Sequence, residues 1–146
     1  MSDALRRREV VTAFLRSRGK VLLVRRSARV GSYQGRWSAI SGYLESGHTA
    51  LQQALREIRE ETGLLAPQLG LRAGPLPLAV PAPELQTLWI VHGFLFDVAA
   101  PLAIALDWEN TELRWSSPPE LRELETVPAL AELLHACLAG EQTGDD

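Results

Sequence analysis

Cysteine is all but absent from this chain: Cys137 is the only one among 146 residues. That excludes an intrachain disulfide and a cysteine-ligated zinc site, and the apolar helical pattern around Cys137 makes it core filler. Lysine is as scarce, with Lys20 alone, so nearly all positive charge sits on arginine, the side chain suited to bidentate phosphate contacts. A basic excess is also missing. The net charge is -3 and the isoelectric point about 5.6, which is not the signature of a general nucleic-acid or anionic-membrane binder and leaves small-molecule phosphate chemistry open. No apolar run approaches a membrane span; the longest, Leu88 to Phe96, contains His92 and Gly93. Behind Arg6, Arg7 and Arg8 the apolar run from Val10 to Leu15 is broken by Arg16 and lacks a small-residue cleavage site, so it is not read as a secretion signal. The expectation is a soluble, cytoplasmic protein with neither nucleic acid nor membrane as partner. No repeat or linker divides it, and 46% hydrophobic content supports one domain over residues 1–146 with a polar tail from about 140.

What the chain does contain is concentrated between Gly42 and Leu64, GYLESGHTALQQALREIREETGL. Thr49 followed by Gln52 reads as a capping box. Leu51, Leu55, Ile58 and Thr62 recur at helical spacing, and Gly63 suits the left-handed residue after a helix end, so Ala50 to Thr62 is expected to be helical. On that helix Glu57, Glu60 and Glu61 stand at i, i+3 and i+4 beside the apolar stripe, at the rim of the core. Like charges so placed repel by roughly 0.2–0.5 kcal/mol per pair. Arg56 can pair with Glu60, but one guanidinium cannot neutralise three carboxylates, whereas a hard cation can. Mg²⁺ or Mn²⁺ takes oxygen ligands, uses few carboxylates and completes its shell with water and substrate phosphates.

These residues resemble the signature box of the Nudix hydrolases: Gly, five residues, Glu, seven residues, then Arg-Glu-apolar-any-Glu-Glu-any-Gly-apolar. The match is carried by Gly42, Arg56, Glu57, Ile58, Glu60, Glu61, Gly63 and Leu64, and one position departs, His48 standing where the family has its first Glu. The resemblance implies an α/β fold, the Nudix α/β/α sandwich with a mixed sheet. It also implies a Mg²⁺- or Mn²⁺-dependent hydrolase of a phosphoanhydride bond in a nucleoside diphosphate derivative or nucleoside triphosphate. The implied metal ligands are Glu57, Glu60 and Glu61 with the backbone carbonyl of Ser41. Gly42, Arg56 and Gly63 are structural in the box. In the family Arg56's position pairs with the first Glu; here an imidazole cannot play that part, so Arg56 must find Glu45, Glu60 or a carbonyl instead. His48 as a metal ligand is the alternative, since imidazole binds Mn²⁺ or Zn²⁺.

Other candidates surround the box. Glu45 can orient water or metal from the loop entering the helix. The family often draws a water-activating Glu from outside the box, which points to Glu112 or Glu109. Arg26 and Arg36, among the arginines near residues 25–36, are candidates for phosphate contacts. Tyr33, in a glycine-containing loop, is favoured over Trp37, Trp89 and Trp115 for stacking on a base. Substrate identity is not readable, and because the family often dimerises a homodimer is one expectation. Two further readings stand beside hydrolysis: a non-catalytic module that senses a nucleotide or diphosphate, and a diphosphate isomerase, which would need a catalytic cysteine better placed than Cys137.

Along the rest of the chain, Glu9–Leu15 and Val21–Val24 read as a hairpin whose second strand is covered on both faces, and Trp37–Ile40 as a short strand. Five prolines between Leu65 and Pro83 predict an edge segment and a loop. Leu88–Val98 is the buried strand and Leu113–Ser116 a short one, followed by a helical turn over 118–124 and a final helix over Val127–Leu138 with a proline in its first turn.

Overall fold

The computed structural model describes residues 4–99, 104 and 106–141; residues 142–146 of the expected polar tail lie outside them. One long, unbroken pairing is parallel: strand β1 (Arg6–Ser17) lies beside strand β6 (Thr87–Val98) from Arg6↔Thr87 to Arg16↔Asp97. Among the described residues every other pair of strands is antiparallel. A hairpin turns β1 into β2 (Lys20–Arg26), which pairs with β3 (Trp37–Ser38) and β7 (Asn110–Ser116). Strand β4 (Ile40–Tyr43) pairs with β1, and β5 (Leu69–Ala82) forms the outer edge against β6.

Because Val10–Leu15 of β1, Val21–Val24 of β2 and Phe94–Phe96 of β6 are apolar at nearly every position, both faces of the sheet need covering, and period-2 alternation divides the side chains between them. Val11, Ala13, Leu15, Leu22, Val24, Phe94 and Phe96 gather under helix α1 (Ala50–Thr62), whose Ala54 and Ile58 close that core. Phe14, Val21, Leu23 and Leu95 point the other way, to helix α2 (Leu130–Ala139) with its Leu130, Leu133, Leu134 and Cys137. The result is the expected α/β/α sandwich with a mixed sheet, and Cys137 is core filler. Among the described residues no helix is long and apolar enough to cross a membrane.

Helix α1 has the predicted bounds and caps. Gln52 N–H donates to Thr49 Oγ1 (3.1 Å), Thr49 N–H donates to Gln52 Oε1 (2.9 Å), and Gly63 sits at φ 83°. Three expectations need correction. Of the expected edge segment and loop, the edge segment is there but runs the full 14 residues of 69–82 as one strand, leaving no loop among them. Pro75, Pro77 and Pro81 share one parity on this edge, where a missing N–H can face away from the neighbouring strand without breaking the ladder. The strand read as Trp37–Ile40 is two strands, because the chain leaves β2 after Ser38 and joins β1 from Ile40. The last helix begins at Leu130, not Val127. Val127 N–H donates to the Trp37 carbonyl (2.9 Å), Pro128 keeps Val127 out of the helical region, and Ala129 takes φ 65° before the first turn.

Candidate functional site

Strand β4 ends where α1's N-terminal loop begins, and this junction sets the box residues against the sheet. Thr12↔Ser41 and Val11↔Gly42 register β4 on β1, and the helix crosses behind so that Glu57 lies directly over Gly42. A Cβ at position 42 would collide with the Glu57 carboxyl group. Glycine is needed here for close approach rather than for an unusual backbone angle.

Glu57 and Glu61 are buried, at 7% and 2% exposure, deeper than the rim position the helical spacing implies. Glu57 Oε2 accepts from Gln53 Nε2 (2.8 Å), and Glu61 Oε1 accepts from Asn110 Nδ2 (3.1 Å). Glu61 Oε2 is buried and, among the described residues, accepts from no donor. Glu109, on the turn leading into β7, completes the group. Oxygens of Glu57, Glu61 and Glu109 lie within 4.8 Å of one another. Ser27 N–H donates to the Glu109 carbonyl (2.8 Å) and Asp107 Oδ1 accepts from Glu109 N–H (3.1 Å), so the turn is held from both sides.

Burial raises all three carboxyls above their usual range. For Glu61 the facing charges of Glu109 and Glu57 add to burial and carry it well above. Glu57 is raised by burial and partly restrained by the Gln53 hydrogen bond. Glu109 is pushed up to about 7 by burial and by Asp107. Arg26 is the nearby cation, facing Glu61 and Glu109 while its own burial lowers its pKa. A single half-buried guanidinium whose Nε is committed to the Ser32 carbonyl (2.9 Å) cannot offset three carboxylates. A buried oxygen left without a donor costs roughly 1–3 kcal/mol, more when charged. At neutral pH, then, the cluster must bind either protons or a cation. The donor set is entirely oxygen, which suits Mg²⁺ or Mn²⁺ over zinc, and the orphaned Glu61 oxygen and the Gly42 cradle fit such an ion.

Not every residue singled out from the sequence lies here. Glu60 lines the same cavity, but its carboxylate is drawn to Arg56 (3.0 Å), which also reaches Glu45 (3.2 Å). Arg56 thus finds the partners expected once His48 removes the usual one. The third carboxylate of the close group is Glu109 rather than Glu60. Glu112 points elsewhere, paired with Arg25 (3.0 Å) at the surface. In a regular strand Glu112 and Asn110 would share a face, but the register shifts between Arg25↔Glu112 and Arg26↔Asn110, and it is the Asn110 side chain that faces Glu61. His48 is not in the carboxylate group; its Nδ1 lies 2.9 Å from Gln53 Oε1.

A cavity of about 420 Å³ opens from the carboxylates. Ser41, Glu45, Arg26 and Tyr33 line it as expected, whereas Arg36 and Trp37 do not. Arg36 Nη1 donates to the Thr126 carbonyl (3.2 Å), and Trp37 packs into the α2-side core beneath Arg114. Tyr33 is held by Trp89, whose Nε1–H donates to the Tyr33 hydroxyl (3.0 Å). Trp108, under the Arg29 guanidinium at 5.4 Å, and Tyr43 also line the cavity. Sequence reading missed them, along with Asn110 and Gln53. Only Gln53 carried a local signal, standing at i, i+4 from Glu57.

A family model described as NUDIX domain matches residues 5–137. The chain is 31% identical over 138 residues to the octanoyltransferase of Myxococcus xanthus, a match over 90% of this chain and 37% of that protein. It is 30% identical over 131 residues to the CTP pyrophosphohydrolase of Escherichia coli strain K12, covering 90% of this chain and 91% of that one. Among solved structures, the Nudix hydrolase RenU from M. smegmatis superposes with a TM-score of 0.70 at 25% identity, over 96% of this chain and 88% of that one. The chain spans between 37% and 44% of the length of the first curated relatives it matches.

Proposed function

The chain belongs to the NUDIX family, and from that premise we propose that it hydrolyses a phosphoanhydride bond in a nucleoside diphosphate derivative or nucleoside triphosphate with the help of Mg²⁺ or Mn²⁺. The observation that carries the reading is the trio of carboxylates, Glu57 and Glu61 buried and Glu109 half-buried, around the orphaned Glu61 oxygen, at the mouth of a cavity furnished with arginines and aromatic rings. The E. coli relative, matched over nearly its whole length, is named as a pyrophosphohydrolase of CTP, which supports the same class of chemistry.

In this proposal Glu57 and Glu61 hold the ion, with the Ser41 carbonyl beside them and Glu60 available from the same turn. A bound divalent ion would screen the phosphate oxygens and lower the pKa of a coordinated water. Arg26 and Arg29 meet the phosphates, and Tyr33, Trp89 and Trp108 offer ring faces to a base. Glu109, carried on a loop and not on the helix, takes the proton of the attacking water. The new P–O bond forms as the bridging P–O bond breaks, and two phosphorylated products leave.

The test is a screen of nucleotide sugars, dinucleoside polyphosphates, and canonical and oxidised triphosphates with Mg²⁺ or Mn²⁺, with Glu61→Gln as control. Metal-dependent product from wild type and a loss of about 100-fold or more in the variant are expected. Tight nucleotide binding without product from any substrate would replace hydrolysis by the sensing module.

A further inference from the structure

We infer that Gln53 is a positioning residue for Glu57, and that His48 secures it by donating an Nδ1–H hydrogen bond across the start of helix α1. The inference rests on the reading of Glu57 as a metal ligand and concerns how this chain manages without the first glutamate of the box. Gln53 has no exposed surface. Its side chain meets three groups: the Glu45 backbone N–H at 3.1 Å and His48 Nδ1 at 2.9 Å, both at Oε1, and Glu57 Oε2 at 2.8 Å, at Nε2.

The direction of this chain follows from chemistry. A backbone N–H can only donate, so the atom facing Glu45 is the amide oxygen. The amide nitrogen therefore faces Glu57 and donates to its carboxylate, and a flipped amide would set N–H against N–H at one end and oxygen against oxygen at the other. Since Oε1 is an acceptor, the His48 nitrogen beside it must carry a proton. Neutral His48 is thus the Nδ1–H tautomer, with Nε2 unprotonated.

The consequence for the site is geometric. Glu57 lies against Gly42, and the Gln53 amide occupies its Oε2, which fixes the carboxyl group beside Glu61 and Glu109. A carboxylate held by a hydrogen bond to its outer oxygen is oriented before the ion arrives. Arg56, relieved of the partner that the box normally supplies, is taken up by Glu45 and Glu60. His48 is accordingly not an impaired copy of a glutamate but one end of a different brace, running His48 to Gln53 to Glu57.

The experiment is a Mn²⁺ titration, read by the EPR signal of the free ion, on wild type, Gln53→Leu, His48→Phe and Glu57→Gln, each checked by thermal unfolding. Gln53→Leu is expected to weaken Mn²⁺ binding about 10- to 100-fold. His48→Phe, which leaves Glu45 still holding Gln53, is expected to weaken it roughly 3- to 10-fold, the equivalent of one hydrogen bond. In parallel, ¹⁵N NMR of the metal-free wild type at alkaline pH, with His48→Phe identifying the signal, is expected to show the Nδ1–H tautomer at His48. Wild-type affinity in Gln53→Leu alongside a loss in Glu57→Gln overturns this inference alone. Unchanged binding in Glu57→Gln overturns the metal reading and the inference with it. Should Gln53→Leu not fold, wild-type affinity in His48→Phe or an Nε2–H tautomer at His48 overturns the inference.

Discussion

Replacing Glu61 by glutamine should make the metal-free protein more stable and at the same time remove most of its response to metal. Glu61 is 2% exposed, one oxygen accepts from Asn110, the other has no donor among the described residues, and the carboxyl lies beside those of Glu57 and Glu109. A glutamine keeps the shape, removes the charge and can place N–H groups towards those two acceptors. Relief of an unsatisfied buried oxygen amounts to about 1–3 kcal/mol. For a chain of 146 residues the unfolding entropy is about 0.3 kcal/mol per kelvin, so Tm should rise by about 3–10 °C without metal. The gain depends on pH with a definite sign. The folded-state pKa of Glu61 is raised, so its contribution favours the folded state at low pH and is lost as pH rises through the folded value. The variant does not titrate there, and its advantage should be small in acid and open towards neutral and alkaline pH. Mn²⁺ at 100 times its Kd stabilises the wild type by about 2.7 kcal/mol, or about 9 °C. A tenfold weaker site would leave about 5 °C, and a hundredfold weaker site about 1 °C. The assay is calorimetry or fluorescence melting of both proteins, with and without Mn²⁺, across pH. A variant less stable than wild type without metal, or one that keeps the full metal-induced shift, would refute the reasoning.

Three further outcomes follow from the geometry. Gly42→Ala should fold but displace Glu57, because the added methyl meets its carboxyl group; Mn²⁺ affinity should fall about 10-fold or more, measured by calorimetric titration. Glu109→Gln should cut kcat by about 10²- to 10⁴-fold in steady-state assays, while Glu112→Gln, which loses only a surface contact with Arg25, should leave kcat within about twofold. Thr49→Ala removes the capping box of α1 and should cost about 1 kcal/mol, read as a fall of about 3 °C in Tm with turnover retained.

The parts legible from sequence were those whose cause is local. Thr49, Gln52 and Gly63 set the bounds of α1 because caps act within one turn, and the unbroken apolar run Val21–Val24 announced a strand covered on both faces because successive side chains point to opposite faces. The three glutamates of the box could be named for the same reason, since one helical turn brings them together. What the tertiary structure decided was their company and their depth. Glu109 reaches Glu57 and Glu61 only because β7 pairs with β2 and delivers its leading turn to the helix, so nothing in the spacing of Asp107 to Glu112 separates Glu109 from Glu112. Trp89 and Tyr33 meet across 56 residues, and the edge prolines of β5 are harmless because β6 supplies one side of the ladder and, among the described residues, no strand supplies the other. Side-chain period and capping are properties of the chain; burial, partner and charge environment belong to contacts between distant segments, and these turn a row of acids into a site.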